Sequence, residues 1–215
     1  MIASLVPKCS TLCDIGTDHA YVAIYLAKKS IAEKIIAADI KKGPLLQARK
    51  NIDAFNVGHM VETRLSNGFD QFEQGEAQCA IIAGMGGETI AEILDNEKGC
   101  KYFVLQMQTA HKHLREYLCT HGYVIEKEAV CREGNKMYTA LLAVRGNSQE
   151  LNDVQKEIGP YLIENTPPHF YDYVRYRLYE INSILDKMGT ASGEKREQYE
   201  NLKFEYEKLL EGESV

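Results

Sequence analysis

Three carboxylates near the ends of strand-like runs have the types and spacing to bind a small ligand. Asp14 and Gly16 end a short apolar run that leads directly into a helical pattern, with Asp18 at the junction. A strand that ends in such a turn places backbone N–H groups and the positive end of a helix at the carboxyl edge of a sheet. Asp39 ends the next apolar run, 23 positions after Gly16. Acidic side chains at that place accept hydrogen bonds from ribose hydroxyls in folds of alternating strands and helices, so the spacing predicts a site for a nucleoside-containing ligand.

The residues of the first loop narrow the class of ligand. The dinucleotide fingerprint G-x-G-x-x-G is absent, because Thr17 and Asp18 follow Gly16. Asp14 and Asp18 would repel a pyrophosphate, whereas they would attract a ligand with cationic and hydroxyl groups. S-adenosylmethionine is such a ligand, because it carries a sulfonium, an ammonium and a ribose. The alternative is that Asp18 only caps the helix that follows it, a common use of aspartate at that position.

Further candidates for contacting this ligand follow the next strand-like runs. Ile40 comes directly after Asp39, and Asn67 and Gly68 follow the third run, where such folds contact an adenine ring. The fourth run is followed by the segment Gly84-Met85-Gly86-Gly87. Its glycines allow the backbone to approach a ligand closely, and loops at this edge carry function. A turn used only for packing would need fewer glycines.

Two polar residues are candidates for positioning an acceptor. His19 follows Asp18, and Gln106 ends the fifth strand-like run, where the acceptor substrate should lie. A lone histidine is more often a local hydrogen-bonding residue than a catalytic one. The remaining histidines have helix-surface spacing, and the six cysteines contain no C-x-x-C pair. We therefore predict no metal site and reduced, structural cysteines.

Composition indicates a soluble globular protein that can form one α/β core and a smaller appendage. The chain has 215 residues, of which 45% are hydrophobic and 26% charged. No run approaches the ~18 apolar residues of a membrane span, and the N-terminus lacks a signal-peptide pattern, so we expect a cytoplasmic protein without a membrane partner. The net charge is −6, and residues 151–215 hold 13 acidic against 8 basic side chains. The nearly neutral first part could still carry a basic patch.

Strand-like and helix-like runs alternate through the first 120 residues, as is typical of parallel βαβ units. The predicted strands are Thr11–Ile15, Lys34–Asp39, Val61–Ser66, Cys79–Ala83 and Tyr102–Gln106, and the predicted helices are Ala20–Lys29, Pro44–Phe55, Glu88–Asn96 and His111–His121. Two β-rich runs, Tyr123–Cys131 and Tyr138–Val144, then predict a hairpin around Gly134. Five parallel strands followed by an antiparallel pair are typical of class I methyltransferases. We predict an α/β, class I (Rossmann-like) fold with a mixed seven-stranded sheet.

The chain changes character after Gly146, and we predict a first domain over 1–147 and a helical domain over 148–215. Leu151 to Leu162 has helical spacing, and two later apolar stripes joined by a Gly-containing turn predict a coiled-coil-like hairpin. One interpretation is an appendage that packs on the first domain or on a second copy. The other is a clamp for a large substrate, which would use Arg175 and Arg177.

Several segments of the chain resemble the bacterial tRNA (adenine(22)-N(1))-methyltransferase family. They are DIGTDHAY at Asp14–Tyr21, AADIKKGPLLQARKN at Ala37–Asn51, AGMGGETI at Ala83–Ile90 and LQ at Leu105-Gln106. The resemblance implies a class I fold, S-adenosylmethionine as methyl donor, tRNA as substrate and a helical hairpin as the extra domain. Family members usually have a further basic segment before the residues that match Ile2-Ala3, and often a proline where this chain has Met107.

The reaction that the resemblance implies is methyl transfer to ring nitrogen 1 of an adenine. That nitrogen has an in-plane lone pair and needs no deprotonation, but the methylated base is cationic. A carboxylate can stabilise it or take a proton, for which Asp18 is the candidate, with His19 and Gln106 in positioning roles. The base must first leave its stack, and the candidates for contacting it are Tyr21, Gly86 and Gly87. A class I methyltransferase acting on a protein or small molecule, and a non-catalytic RNA-binding protein, are the alternatives; monomer and dimer both remain open.

Overall fold

The centre of the molecule is one seven-stranded sheet, seen in a computed structural model that describes residues 1–147, 150–189 and 193–214. The strands are β1 (Cys9–Ile15), β2 (Ala32–Asp39), β3 (Val61–Leu65), β4 (Cys79–Gly86), β5 (Tyr102–Thr109), β6 (Tyr123–Glu133) and β7 (Lys136–Arg145). Their order across the sheet is β3-β2-β1-β4-β5-β7-β6. The first five strands are parallel, and β7 is antiparallel to both β5 and β6. The predicted class I fold is confirmed.

Helices connect the strands and form the C-terminal part of the chain. They are α1 (Ile2–Leu5), α2 (Tyr21–Lys28), α3 (Lys42–Ala54), α4 (Gly87–Leu94), α5 (His111–Thr120), α6 (Asp153–Ile158), α7 (Pro160–Asn165), α8 (Phe170–Met188) and α9 (Glu194–Glu211). A short 3-10 turn, Gly212–Ser214, follows α9.

The sheet changes its direction of growth at β1. This strand pairs with β2 on one side and with β4 on the other, so that Ile15 lies between Ala38 and Ile82. In open α/β sheets a crevice forms at such a switch point, outside the carboxyl ends of the strands. The predicted ligand-binding residues at the ends of β1, β2 and β4 are therefore brought to one place.

Both faces of the sheet are buried, which explains why the parallel strands are nearly continuous apolar runs. On one face Ile90 of α4 and Leu114 of α5 are fully buried in the core. On the other face Ile24 of α2 and Ile52 of α3 are almost fully buried. The ends of the strands are thus held by rigid packing, which fixes the loops that follow them.

The fourth strand continues past Ala83, where the sequence predicted a loop. Gly86 pairs with Thr109 of β5, and the register shifts on both sides of Met85. Such irregularities bend a strand and redirect its side chains. The prediction of a loop over residues 84–86 is therefore wrong, because this segment is an irregular strand end, and α4 begins directly at Gly87.

The single helix predicted over residues 151–162 is also wrong. Helix α6 ends at Ile158 and α7 begins at Pro160, which occupies the first turn, where no N–H is needed. Between them Gly159 has φ of +125°, a value that residues with side chains rarely adopt, and a Cβ atom there would overlap the carboxylate of Glu128. The break is therefore set by a contact with β6, which the sequence pattern does not contain.

The last two helices form the predicted hairpin and pack on the sheet. Tyr173 and Ile181 of α8 and Tyr206 of α9 are buried in one cluster with Val130 of β6. The connection between α8 and α9 includes residues 190–192, outside the described part of the chain, as are residues 148 and 149, where the predicted domain boundary falls. The packing favours the interpretation of the tail as an appendage on the first domain.

Candidate active site

A cavity of about 640 Å³ lies at the carboxyl edge of the sheet, at the ends of β1, β2, β3 and β4. Among the residues that line it are most of those predicted to bind the nucleoside-containing ligand, namely Gly16, Asp39, Ile40, Asn67, Gly68, Gly84 and Met85. Its size is within the range of about 300–1,000 Å³ that small-molecule sites span. The structure thus gathers residues from four strand ends into one cavity.

The turn at Gly16 forms part of this cavity. Gly16 has φ of +74°, and a Cβ atom there would overlap the terminal methyl group of Met85. The N–H groups of Gly16 and Thr17 both donate to the carbonyl of Ala38, at 2.8 and 3.0 Å. The turn is therefore tied to β2, and only glycine fits it without moving the Met85 side chain.

Asp39 ends β2, in the position predicted for a contact with a ribose, and Ile40 directly follows it. Asp39 is 9% exposed, and its Oδ1 accepts a hydrogen bond of 2.8 Å from the backbone N–H of Lys41. That bond orients the carboxylate and leaves its second oxygen to accept from a ligand. Ile40 is 60% exposed although it is apolar, as expected of a side chain that covers a ligand.

Asp14 lies behind the cavity and does not line it. It is 5% exposed, and its Oδ2 accepts a hydrogen bond of 2.6 Å from the hydroxyl of Thr17. Burial raises the pKa of Asp14 to about 6, while the Thr17 hydrogen bond lowers it and the Asp39 charge raises it further. Asp14 therefore supports the Gly16 turn from beneath, and direct contact with the ligand is not supported by this placement.

Asp18 lines the cavity, and its side chain is 67% exposed. Its φ of +50° and the start of α2 at Tyr21 show that it does not cap the helix; Ala20 occupies the N-cap position and has no side-chain hydrogen bond. The alternative that Asp18 is an N-cap is therefore wrong. The Nε2 atom of His19 lies 3.3 Å from Asp18 Oδ2, so two of the three side chains predicted to serve the acceptor are in contact.

The Gln106 side chain is committed to the backbone. Its Oε1 accepts from the N–H of Gly84 at 2.9 Å, and its Nε2 donates to the carbonyl of Met107 at 2.8 Å. Gln106 is 6% exposed. It therefore holds the irregular end of β4 against β5, and it would act on an acceptor mainly through the position of Gly84.

Gly86 and Gly87, predicted to contact the substrate, serve packing between two helix starts. A Cβ atom at Gly87 would overlap the carbonyl oxygen of Ala110, and one at Gly86 would lie 3.1 Å from Oγ1 of Thr109. Neither glycine lines the cavity described above. The substrate role predicted for these two residues has no support in this geometry.

A second and larger cavity, of about 990 Å³, is lined in part by Gln106. Tyr21, predicted to stack on a substrate base, is 61% exposed and lines it. The His19 ring lies 5.8 Å from the Tyr21 ring. The other residues of the lining come from α1, α2 and the ends of β5, β6 and β7. Of the residues predicted to serve the acceptor, Tyr21 and Gln106 therefore share this cavity, whereas Asp18 lines the first one.

The arginines predicted to contact the substrate are engaged within the helical part. Arg177 is 14% exposed at its side chain and pairs with Glu157 at 2.8 Å and with Glu180 at 3.1 Å. Arg175 is half exposed and pairs with Asp172 and Glu213. The structure does not bring either arginine into the two cavities. Arg177 is better explained as a residue that joins α8 to α6.

Several residues that support or line the two cavities were not predicted from the sequence. Thr17 holds Asp14, and Tyr25, Gln108 and Tyr138 line the second cavity. Thr17 directly follows Gly16 in the first motif, which was a usable signal. Tyr138 gave none, because it lies in the hairpin and reaches the site only through the antiparallel pairing of β7 with β5.

Within the described residues no group of three or more His, Cys, Asp or Glu side chains is arranged to hold a metal ion. In the same part of the chain, no helix combines the length and apolar character needed to cross a bilayer.

The strand order, the switch-point cavity and the acidic residue at the end of β2 define a class I methyltransferase. Residues 1–141 match the family described as a methyltransferase domain. The chain belongs to this methyltransferase-domain family, and the resemblance to tRNA (adenine(22)-N(1))-methyltransferases is confirmed.

Three relatives illustrate the similarity. The tRNA (adenine(22)-N(1))-methyltransferase of Bacillus subtilis is 29% identical over 200 residues, covering 89% of this chain and 84% of the relative. A putative tRNA methyltransferase of Mycoplasma pneumoniae is 30% identical over 172 residues, covering 77% of this chain and 79% of the relative. A putative tRNA (m1A22) methyltransferase of Streptococcus pneumoniae, solved in complex with S-adenosyl-L-methionine, has a TM-score of 0.85 and 28% identity over 97% of this chain and 96% of its own.

Proposed function

We propose that this protein transfers the methyl group of S-adenosylmethionine to ring nitrogen 1 of an adenine at position 22 of tRNA. The observation that carries the proposal is the closeness of two cavities: Gly84 lines the first, Gln106 lines the second, and the Gln106 side chain accepts a hydrogen bond from the Gly84 N–H. A donor in the first cavity and an acceptor in the second can therefore be brought into direct contact beside this segment, as in-line methyl transfer requires. The names of the relatives support the adenine and tRNA as substrate.

The residues of the 640 Å³ cavity fit S-adenosylmethionine. Asp39 has a carboxylate oxygen for the ribose hydroxyls, and Ile40 offers an exposed apolar surface for the adenine ring. Asp14 lies behind the turn, where its ionised form would favour a ligand with positive charge. When bound, the cofactor supplies a methyl group made electrophilic by its sulfonium.

The protein's own contribution to the reaction is positioning and charge stabilisation. Adenine nitrogen 1 presents a lone pair at neutral pH, so no residue has to remove a proton before attack. Positive charge then develops on the base, and a carboxylate nearby stabilises it. Asp18 is proposed for this role because it lines the cofactor cavity, and His19 is proposed to orient it from 3.3 Å.

Contacts with the phosphates of tRNA are proposed to come mainly from α2, α3 and their flanking loops. Six basic side chains of this region are exposed: Lys28, Lys29, Lys41, Lys42, Arg49 and Lys50. Exposed cations clustered on one region are the usual electrostatic footprint of nucleic-acid binding. In this proposal the first domain, residues 1–147, carries cofactor and most RNA contacts, and residues 148–215 support it. A tRNA substrate places the enzyme in the cytoplasm.

The proposal is tested by incubating the purified protein with labelled S-adenosylmethionine and unmodified tRNA, then digesting the RNA and identifying the labelled nucleoside. We expect 1-methyladenosine. Label in added protein or in small molecules, with none in RNA, would support the alternative class I methyltransferase. RNA binding without any methyl transfer would support the non-catalytic alternative.

The cofactor site is tested by Asp39→Ala. Loss of a hydrogen bond to a charged group costs about 1.5–3 kcal/mol, so affinity for S-adenosylmethionine should fall roughly 10- to 150-fold. Calorimetric titration measures it, with the exposed Asp53→Ala of α3 as control. Unchanged affinity in a folded variant would remove Asp39 from the site.

A further inference from the structure

The 990 Å³ cavity has the chemistry of a site for a flat, hydrogen-bonding base. Tyr21 and Tyr25 of α2 and Tyr138 of β7 line it, and the first two are 61% and 52% exposed. Aromatic side chains that stand open to solvent at the edge of a cavity can stack on nucleobases. Its volume is at the upper end of the usual range for ligand sites, about 300–1,000 Å³, and so admits a base with part of its nucleotide.

Two glutamines of β5, Gln106 and Gln108, line this cavity, and they differ in burial. The Gln106 amide is buried and engaged with two backbone groups, at 2.9 and 2.8 Å. Gln108, two residues further along β5, is exposed and lines the cavity. A Cβ atom at Gly84 would lie 3.9 Å from Gln108 Nε2, so this amide lies close to a residue that lines the cofactor cavity.

We propose that Gln108 selects the acceptor base by pairing with the N6 and N7 atoms of adenine inside the 990 Å³ cavity. A glutamine amide accepts from N6 and donates to N7, the bidentate pattern by which proteins recognise adenine. This pairing uses the edge beside nitrogen 1 and leaves that nitrogen free to face the methyl donor. Guanine carries an acceptor at the place of the N6 amine, so the same amide rejects it. The inference rests on the proposed function and adds the residue that reads the base.

The test uses a chemical change in the substrate matched to the change in the protein. Two tRNA transcripts are compared, one with adenosine and one with 7-deazaadenosine at the target position, which lacks the N7 acceptor. For each enzyme, kcat/KM on the adenosine transcript is divided by kcat/KM on the 7-deaza transcript. This ratio should be roughly three- to tenfold higher for wild type than for a variant that lacks the contact. Comparing enzymes on the same pair of transcripts cancels the effect of the substitution on the basicity of nitrogen 1.

Gln108→Ala is the variant that should not respond to the loss of N7 from the substrate. We expect its kcat/KM on the adenosine transcript to fall about 5- to 150-fold, the discrimination of a bidentate pair. We also expect it to lose the wild-type preference for the adenosine transcript over the 7-deaza transcript. Gln108→Glu, which cannot donate to N7, should lose that preference too. Gln198→Ala, an exposed glutamine of α9, is the matched control and should keep both the rate and the preference.

The outcomes separate this inference from the proposed function. If wild type forms no 1-methyladenosine on the adenosine transcript, the proposed function fails and the inference fails with it. If wild type is active but Gln108→Ala keeps the full rate, or keeps the wild-type preference between transcripts, only the assignment of Gln108 is wrong. Cofactor affinity is measured by calorimetry on the same samples. A loss of affinity that accounts for the lost rate would also overturn the assignment, because Gln108 would then belong to the cofactor site.

Discussion

At the scale of single residues, carboxylates that look alike in the sequence have different roles. Asp39 lines the cofactor cavity with one oxygen oriented by a backbone N–H, whereas Asp14 lies buried beneath the turn with Thr17 as its partner. Asp18 is exposed and faces the same cavity. Their surroundings, and not their charge alone, therefore distinguish a carboxylate that lines the cavity, one that supports the turn and one that is open to solvent.

The raised pKa of Asp14 predicts a pH-dependent stability of the ligand-free protein. Burial raises this pKa from 3.8 to about 6, so the native state favours the protonated form and becomes less stable as pH rises through that interval. Asp14→Asn keeps an acceptor for Thr17 and removes the charge. At pH 7 it should stabilise the ligand-free protein by on the order of 2 kcal/mol.

Urea denaturation from pH 5 to pH 8 measures this effect. The gain of Asp14→Asn over wild type should shrink as pH falls towards 5. A variant that is less stable than wild type at pH 7 would show that the ionised carboxylate is stabilised in the native state, contrary to the prediction.

The role proposed for Asp18 predicts a defect in chemistry without a matching defect in cofactor binding. Losing one electrostatic stabiliser of a transition state typically lowers the rate 10²–10³-fold, so Asp18→Asn should lower the single-turnover rate by roughly that factor. Cofactor affinity is measured on the same preparation. A rate near wild type, or one that falls only in proportion to cofactor binding, would assign Asp18 to cofactor binding instead.

The sequence predicted the positions of the ligand-facing residues better than their contacts. The spacing of Gly16, Asp39 and Gly84 predicted their place because strand ends meet at one edge of a parallel sheet. Gln106 was predicted beside the acceptor, but its amide is held by Gly84 and Met107. Such partners come from neighbouring strands and an irregular register, which no spacing in the sequence reveals.

At the scale of secondary structure, a buried ion pair joins the sheet to the C-terminal helices. Arg115 of α5 and Glu128 of β6 are fully buried and lie 2.8 Å apart. The guanidinium donates to the carbonyls of residues 156–158 at the end of α6, and Glu128 Oε2 accepts from the N–H groups of Tyr161 and Leu162 at the start of α7. Each charge therefore complements a helix terminus.

This joint predicts a large stability loss when one partner is removed. Breaking a buried pair typically costs 3–5 kcal/mol, because the remaining charge is left uncompensated. Arg115→Met should lower the free energy of unfolding by about that amount. Lys203→Met, which removes an exposed i,i+4 pair on α9, is the control and should cost at most about 0.5 kcal/mol. Equal losses in the two variants, measured by urea denaturation, would contradict this account of the joint.

The same joint explains why the helical tail was harder to predict than the strands. Apolar spacing over residues 151–162 fits one helix, but the Glu128 carboxylate occupies the space beside Gly159 and caps a new helix instead. The hairpin itself was predicted, because long apolar stripes at helical spacing depend little on distant contacts. Where a short helix begins and ends depends more on its tertiary contacts than on its apolar spacing.

At the scale of the whole molecule, the two parts of the chain differ in how their basic side chains are engaged. Lys41 lines the cofactor cavity and Lys29 lines the second cavity, whereas Arg175 and Arg177 of α8 are paired with acidic side chains. The hairpin buries its apolar residues against β6. The boundary at residue 147 remains a prediction, and the joint at Arg115 indicates that a protein cut there would lose stability as well as the hairpin.

The central claim is methyl transfer to nitrogen 1 of a single adenine, and the most direct measurement maps the modification on two tRNA transcripts. One carries adenine at position 22, the position named for the Bacillus subtilis relative, and the other carries guanine there. After reaction with labelled S-adenosylmethionine, nucleoside analysis and primer extension should find 1-methyladenosine at position 22 of the first transcript and no label in the second. Equal labelling of both transcripts, or label on another base or atom, would contradict the claim.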